Sequence, residues 1–68
     1  MNLAKYYGKR VTIETKDGKV FVGDVNDYFE PDDNENGQES IIVDMAPHGK
    51  QPIEFYPFDI DSISIVVR

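Results

Sequence analysis

Apolar and polar residues alternate over several short stretches of the chain, and polar segments separate those stretches. Residues 11–15 alternate with a period of two, which is typical of a strand with one buried face. Asp17-Gly18 follows, and this dipeptide favours a two-residue hairpin turn with a positive φ at the glycine. A second strand is predicted from residue 20 to at least residue 25, with Gly23 as a bulge or sharp bend.

Three further strands are predicted in the second half of the chain. Residues 40–45 are largely apolar, and residues 53–56 form a short segment between Pro52 and Pro57, which confine it to a sheet edge or to strand ends. Residues 60–67 alternate again. One face of that strand has Ile63, Ile65 and Val67, and the other has Ile60, Ser62, Ser64 and Val66. Five short strands at even spacing predict an all-β fold, a closed or nearly closed small barrel.

The remaining segments complete a single domain. Residues 1–8 are predicted to form a short helix, with Asn2 as its N-cap and Gly8 after its end. Residues 30–39 form an acidic loop. The domain therefore spans residues 1–68, with five strands in residues 10–67.

The small size of the chain bears on how it is stabilised. A domain near 68 residues buries only about 60% of the surface that its unfolded chain exposes. The chain has no cysteine, so disulfides and thiolate metal sites are excluded, and self-association is the general route to stability that remains. No stretch has the roughly 20 apolar residues of a membrane span, and the start lacks the apolar stretch of a signal peptide. A cytoplasmic location without membrane contact is expected.

Charge is unevenly divided along the chain, whose formal net charge is −6. Residues 1–19 have a net charge of +3, whereas residues 20–49 have a net charge of −8 and contain no lysine or arginine. The acidic middle opposes nucleic-acid binding, because affinity for phosphates depends on Lys and Arg. If RNA is bound, we expect Lys5, Lys9 and Arg10 to contact it.

A short helix, a strand, Asp-Gly, a strand with glycine five residues later and three more strands together resemble the Sm-like (LSM) domain. The residues that match its first motif are Val11-Thr12-Ile13, Asp17-Gly18, Phe21, Gly23 and Val25. Residues 60–66 resemble the final strand of its second motif. The resemblance implies a small, five-stranded, strongly bent all-β barrel of the Sm-like or SH3-like kind with a short N-terminal helix. It also implies a ring of subunits that binds RNA, in which the fourth strand of one subunit pairs with the fifth strand of the next.

The usual RNA-binding residues of the family are missing from this chain. The family has an aromatic-Asp…Asn cluster after the second strand, but here Phe29 stands near the place of the Asp, and Asp33 or Asn34 near that of the Asn. The family has Arg-Gly or Lys-His before the fifth strand, where this chain has Phe58-Asp59-Ile60-Asp61. The chain therefore resembles a short, acidic Sm-like protein without the standard RNA site.

Catalytic and metal chemistry find little support in the residue pattern. The one histidine, His48, has no evident nucleophile or orienting group in a Pro-His-Gly turn, so we expect neither an enzyme nor a cofactor. Asp32, Asn34 and Asn36 match the opening of a calcium loop, but Val43 stands where the loop needs a bidentate Glu. We therefore interpret this segment as a solvated loop. Apart from this partial match to a calcium loop, no metal site is predicted.

Self-association is the function that the pattern favours most. The apolar residues expected at the contact between subunits are Tyr56, Phe58, Ile60 and Val66. We expect a non-catalytic Sm-like protein that self-associates as a binding or scaffolding module, with another protein as a further partner. The alternatives are an Sm-like RNA-binding subunit with a non-standard site, and a monomer whose charges only confer solubility.

Overall fold

The structure is a computed structural model that describes residues 1–45 and 51–67. Five antiparallel strands in one sheet make up most of it. In chain order they are β1 (Arg10–Thr15), β2 (Val20–Phe29), β3 (Ser40–Met45), β4 (Ile53–Phe55) and β5 (Ile60–Ile65). The order across the sheet is β4-β3-β2-β1-β5. The predicted mainly β fold is confirmed. In the described residues β4 and β5 do not pair with each other, so the sheet is not closed and the barrel stays a prediction.

Three 3₁₀ turns accompany the strands in the described ranges, residues 1–45 and 51–67. They are Ala4–Tyr6, Pro31–Asp33 and Pro57–Asp59. The short helix predicted within residues 1–8 is therefore a single turn. His48 lies outside the described residues, so the prediction of a solvated histidine stays untested.

The β1–β2 turn has one more residue than predicted. Thr15 N–H donates to the Lys19 carbonyl over 2.9 Å, which leaves three residues inside the hairpin loop instead of two. Gly18 N–H donates to the Thr15 carbonyl over 2.9 Å, and Gly18 has a φ of 87°. A turn closed by a glycine in the left-handed region is the common form of a three-residue hairpin loop. The positive φ is confirmed, and the two-residue length is wrong.

Gly23 permits a close approach between strands, and the predicted bulge lies elsewhere. The register of β2 runs unbroken through Gly23, opposite Val11 on β1 and Met45 on β3. A Cβ atom at Gly23 would lie 2.8 Å from Val43 Cγ1, closer than side chains tolerate. The register shift against β3 falls between Val25 and Asp27.

The alternation of each strand builds one core on one face of the sheet. On β1, Val11 and Ile13 are fully buried, as the period of two predicts. The register between β1 and β5 shifts between Glu14 and Thr15, so Ile60 also enters the core. The core residues are Leu3, Tyr6, Val11, Ile13, Val25, Ile41, Val43, Met45, Phe55 and Ile60.

A buried carboxylate fastens the N-terminal turn to the sheet. Glu39 Oε1 accepts hydrogen bonds from Leu3 N–H and from the Tyr28 hydroxyl, each over 3.0 Å. Leu3 itself is fully buried. Burial, and then the hydrogen bond to Glu39, raise the pKa of Tyr28. The first turn is therefore part of the core.

Candidate functional site

A cleft of about 420 Å³ opens beside the outer strand β4. The β1–β2 turn forms one wall and the 3₁₀ turn before β5 forms another. Its apolar lining consists of Phe21, Ile53, Phe55 and Phe58. Its polar lining consists of Thr15, Lys16, Asp17, Lys19, Glu54 and Asp59. A cleft of this size, with both apolar and charged residues in its lining, falls within the range of roughly 300–1,000 Å³ that ligand sites occupy.

The aromatic floor of the cleft follows from the strand register. Phe21 lies opposite Ile13 and Phe55 lies opposite Ile41, so both rings point to the core face of the sheet. The two rings meet edge to face, with centroids 5.4 Å apart. Such pairs stabilise a fold beyond the area that they bury.

Phe58 forms the exposed wall, and local hydrogen bonds hold the turn that presents it. Its ring stacks on Tyr56 with centroids 5.1 Å apart and an interplanar angle of 6°, and its side chain is 53% exposed. Asp59 Oδ2 accepts a hydrogen bond from Tyr56 N–H over 3.0 Å. Lys16 N–H donates to the Asp59 carbonyl over 3.2 Å, which ties this turn to the β1–β2 turn. The two walls are therefore fixed relative to each other.

The rim of the cleft carries charges of both signs. Lys19 Nζ lies 3.9 Å from Asp17 Oδ2, and both side chains are exposed. A pair this exposed adds little stability, so the lysine is available to a ligand. A hydrogen bond from the Thr15 hydroxyl lowers the pKa of Asp17. Burial, and then the charge of Glu54, raise the pKa of Tyr56.

The structure separates the four residues predicted at a subunit contact. Tyr56 and Phe58 stand together beside the cleft, whereas Val66 lies at the other end of β1, where its N–H donates to the Arg10 carbonyl over 2.8 Å. Tyr56 is half-buried, and Phe58 and Val66 are exposed. Ile60 is only 2% exposed and belongs to the core, so in a single chain it offers no surface to a partner.

The basic residues predicted to contact RNA are only partly available. Lys5 and Lys9 are exposed, and Lys5 Nζ lies 5.2 Å from the centroid of the Tyr6 ring. Arg10 binds Asp24 with two hydrogen bonds, Nε to Oδ1 over 2.9 Å and Nη2 to Oδ2 over 3.1 Å. The hydrogen bond and the charge of Asp24 raise the pKa of Arg10. Its charge is thus compensated within the chain.

Asn34 and Asn36, two of the three residues that match the opening of a calcium loop, form hydrogen bonds within the acidic loop. Asn34 Nδ2 donates to the Gln38 carbonyl over 2.7 Å and to Ser40 Oγ over 3.0 Å. Asn36 Oδ1 accepts a hydrogen bond from Gln38 N–H over 3.0 Å, and Asp32 is exposed. Across residues 1–45 and 51–67, no three or more His, Cys, Asp or Glu residues lie close enough to hold a metal ion. The Asn side chains are occupied in closing the loop.

The cleft itself was not predicted from the sequence. Alternation identifies Phe21 and Phe55 as inward residues, but it does not say that strands β2 and β4 bring their rings together. The curvature of the sheet decides that contact, and a pattern of period two carries no information on curvature. The one sequence feature that indicates a binding surface here is the net charge of +3 in residues 1–19. Two of the lysines in that segment, Lys16 and Lys19, line the cleft.

Comparisons of the chain with models of known protein families, with curated proteins and with solved structures found no match. In the described part of the chain, no helix has the length and the apolar character needed to cross a membrane. The features that remain to indicate a function are the two outer strands of the sheet and the cleft beside one of them.

Proposed function

We propose that this chain is a non-catalytic Sm-like protein that associates with copies of itself and serves as a binding or scaffolding module. The observation that carries the proposal is the pair of outer strands. In the described residues, β4 pairs only with β3 and β5 pairs only with β1. The free side of an outer strand is a template for pairing with another chain. Pairing of β4 in one copy with β5 in the next is heterologous and closes into a ring when the rotation permits.

Apolar side chains next to both outer strands support the proposal. Phe58 and Tyr56 follow β4 directly, and Ile65 and Val66 lie at the far end of β5. Phe58, Ile65 and Val66 are all exposed in the single chain. Because β4 has only three residues, a backbone ladder along it is short, and these side chains would contribute much of the contact.

The contacts of the charged groups in the cleft support a binding role over a catalytic one. A catalytic site needs convergent groups that are free to act on a substrate. Asp59 accepts a hydrogen bond from Tyr56 N–H and Asp17 accepts one from the Thr15 hydroxyl, so both carboxylates hold turns. The structural roles of these two carboxylates favour recognition of a partner over its transformation.

Sedimentation velocity at micromolar concentration tests the self-association. We expect the wild-type protein to sediment as an oligomer and the double variant Phe58→Asp, Val66→Asp to sediment as a monomer. Each substitution replaces an apolar contact, worth roughly 1.5–3 kcal/mol when fully buried, with an unpaired charge. Phe29→Asp is the matched control, because Phe29 is exposed at the other end of β2 from Phe21, pairs with Ser40 on β3 and does not line the cleft. A monomeric wild type would end the proposal.

RNA binding at a non-standard site is the second candidate. The observation in its favour is the exposed Phe58 ring stacked on Tyr56, with Lys16 lining the same cleft. Aromatic rings beside basic groups form stacking platforms for bases. Retention on a heparin or RNA column at low and moderate salt distinguishes this candidate from self-association alone.

A further inference from the structure

Asn36 and Gly37 form a dipeptide in which the backbone can attack the preceding side chain. Addition of the Gly37 nitrogen to Cγ, the carbonyl carbon of the Asn36 side chain, closes a succinimide ring. Glycine has no Cβ atom to shield that nitrogen. Both residues are exposed, and a Cβ atom built on Gly37 would meet no described atom within 4 Å outside the adjacent residues. The reacting atoms are therefore open to solvent.

A hydrogen bond of the loop holds the Asn36 side chain against the backbone that follows it. Gln38 N–H donates to Asn36 Oδ1 over 3.0 Å, which is the local bond of an Asx turn. When the Gly37 nitrogen attacks Cγ, negative charge develops on Oδ1, the atom that Gln38 N–H already contacts. A fixed N–H donor at a developing oxyanion lowers the barrier to such an addition. The turn therefore favours the reaction at this asparagine.

One contact within the loop opposes the reaction. Gly37 N–H donates to the Asn34 carbonyl over 3.0 Å, and the nitrogen must leave that carbonyl and lose its proton before it attacks. The surrounding residues 30–38 are all exposed except Asn34, which is half-buried. Exposed loops with few apolar contacts open locally at a small cost in free energy. The reaction therefore requires opening of the loop and not unfolding of the domain.

The other three asparagines of the chain lack this arrangement. Asn2, Asn26 and Asn34 are each followed by a residue with a side chain, which shields the nitrogen that would attack. Asn26 Nδ2 donates to the Asp44 carboxylate, and Asn34 Nδ2 donates to Ser40 Oγ over 3.0 Å. These bonds hold the two amides away from the ring-closing position.

Asp17-Gly18 is the second place in the sequence where glycine follows Asp or Asn. Both glycines have a positive φ, 87° at Gly18 and 72° at Gly37. The Thr15 hydroxyl donates to the Asp17 carboxylate and lowers its pKa, so this group is ionised at neutral pH. An ionised carboxylate repels a nucleophile, and its oxygen leaves less readily than the ammonia of an amide. We therefore expect Asn36, and not Asp17, to react.

We propose that Asn36 is a self-modification site, at which the loop converts a side-chain amide into a carboxylate without an enzyme. A bond forms between the Gly37 nitrogen and Asn36 Cγ, and the Cγ–Nδ2 bond breaks. The backbone proton passes through water to Nδ2, which leaves as ammonia. Water then opens the succinimide, at Cγ to give isoaspartate's normal counterpart, aspartate, or at the backbone carbonyl carbon to give isoaspartate. The whole reaction consumes one water, releases one ammonia and involves no oxidation or reduction.

The products change both the charge and the shape of the loop. Isoaspartate lengthens the backbone by one carbon and has its carboxylate directly on Cα, so the Asx turn to Gln38 is lost. Glu39, the next residue, holds the N-terminal turn through Leu3 N–H. Either product also adds one negative charge to a loop that already includes Glu30, Asp32, Asp33, Glu35 and Glu39.

Peptide mapping by mass spectrometry tests the site on the wild-type protein. The folded protein is incubated at mildly alkaline pH, and the fraction of each asparagine that has exchanged NH₂ for OH is followed over time. Isoaspartate is measured separately, by methyl transfer from a labelled donor with an isoaspartate-specific methyltransferase. We expect Asn36 to react several-fold faster than Asn2, Asn26 or Asn34 and to give both products. If Asn36 reacts no faster than the other asparagines, the proposal is wrong.

Two variants of exposed loop residues separate the contributions of the glycine and of the N–H donor. Gly37→Ala places a methyl group beside the attacking nitrogen, and Gln38→Pro removes the donor to Oδ1 but keeps the dipeptide. Both should slow the modification of Asn36 several-fold, and thermal melting checks that each variant is folded during the incubation. An unchanged rate in Gly37→Ala would overturn the proposed ring closure, and an unchanged rate in Gln38→Pro would overturn the role of the Gln38 N–H.

Discussion

Gly18 has a backbone conformation that other residues adopt only with strain. Its φ is 87°, and the hydrogen bond from its N–H to the Thr15 carbonyl holds the turn in that shape. A Cβ atom built on Gly18 meets nothing within 4 Å, so the cost of a substitution is conformational and not steric. β-Branched residues are the least tolerant of a positive φ.

Gly18→Val should therefore lower the free energy of unfolding by about 1–2 kcal/mol. For a domain of this size that corresponds to a fall in melting temperature of roughly 4–16 °C. Gly18→Asn is the matched control and should cost less, because Asn tolerates the left-handed region. Thermal unfolding followed by circular dichroism measures both, and equal melting temperatures for Gly18→Val and wild type would contradict the assignment.

At the scale of elements, the N-terminal turn depends on a residue far along the chain. Glu39 accepts hydrogen bonds from Leu3 N–H and the Tyr28 hydroxyl, so it joins the first turn, β2 and the start of β3. Because the environment of Tyr28 raises its pKa, the folded protein holds the phenolic proton more tightly than the unfolded chain does. That contribution to stability is complete below about pH 10, the ordinary pKa of tyrosine, and is lost as the pH rises above it.

Tyr28→Phe should make the protein less stable at neutral pH and should flatten the loss of stability above pH 10. The substitution removes both the hydrogen bond and the group that titrates. Chemical denaturation between pH 7 and pH 11 measures the dependence. Tyr7→Phe serves as the control, because Tyr7 is exposed. An unchanged alkaline slope in Tyr28→Phe would contradict the role of Tyr28.

The strands could be predicted from the sequence because their alternation is local, whereas their irregularities could not. The third strand matches the predicted residues 40–45, and the fourth and fifth end earlier than predicted, at Phe55 and Ile65. The register between β1 and β5 shifts next to Thr15, and this shift places Ile60 in the core. The shift arises from how β5 packs on β1. Alternation alone places Ile60 with Ser62 on the polar face. Of the candidate site, Tyr56 and Phe58 could be identified as available aromatics, but the cleft depends on long-range contacts.

For the molecule as a whole, the basic residues of the first 19 positions and the acidic residues of positions 20–49 are only partly separated in space. Arg10 is bound to Asp24 of the acidic segment. Lys5 and Lys9 lie before β1, and Lys16 and Lys19 lie after it. The basic groups described are thus split between the two ends of one strand and do not form one extended surface.

Binding of short single-stranded RNA should consequently be weak or absent at physiological salt. Where it is detected at low salt, it should fall steeply as salt is added, because counterion release dominates such contacts. Fluorescence anisotropy with a labelled uridine-rich strand measures this. Lys5→Ala with Lys9→Ala should weaken the low-salt signal, whereas Val20→Ala should leave it unchanged. Tight binding that tolerates salt would instead favour the RNA-binding candidate.

The position of β1 in the sheet has a consequence for how the protein is synthesised. β1 lies between β2 and β5, and Val11 near its start pairs with Ile65 at the far end of β5. During translation the β1–β2 hairpin can form early, but one side of β1 has no partner strand until β5 has left the ribosome. Exposed strand edges of this kind make folding intermediates prone to aggregate. Nascent chains that stall before residue 60 should therefore be retained by chaperones, whereas chains that include β5 should be released.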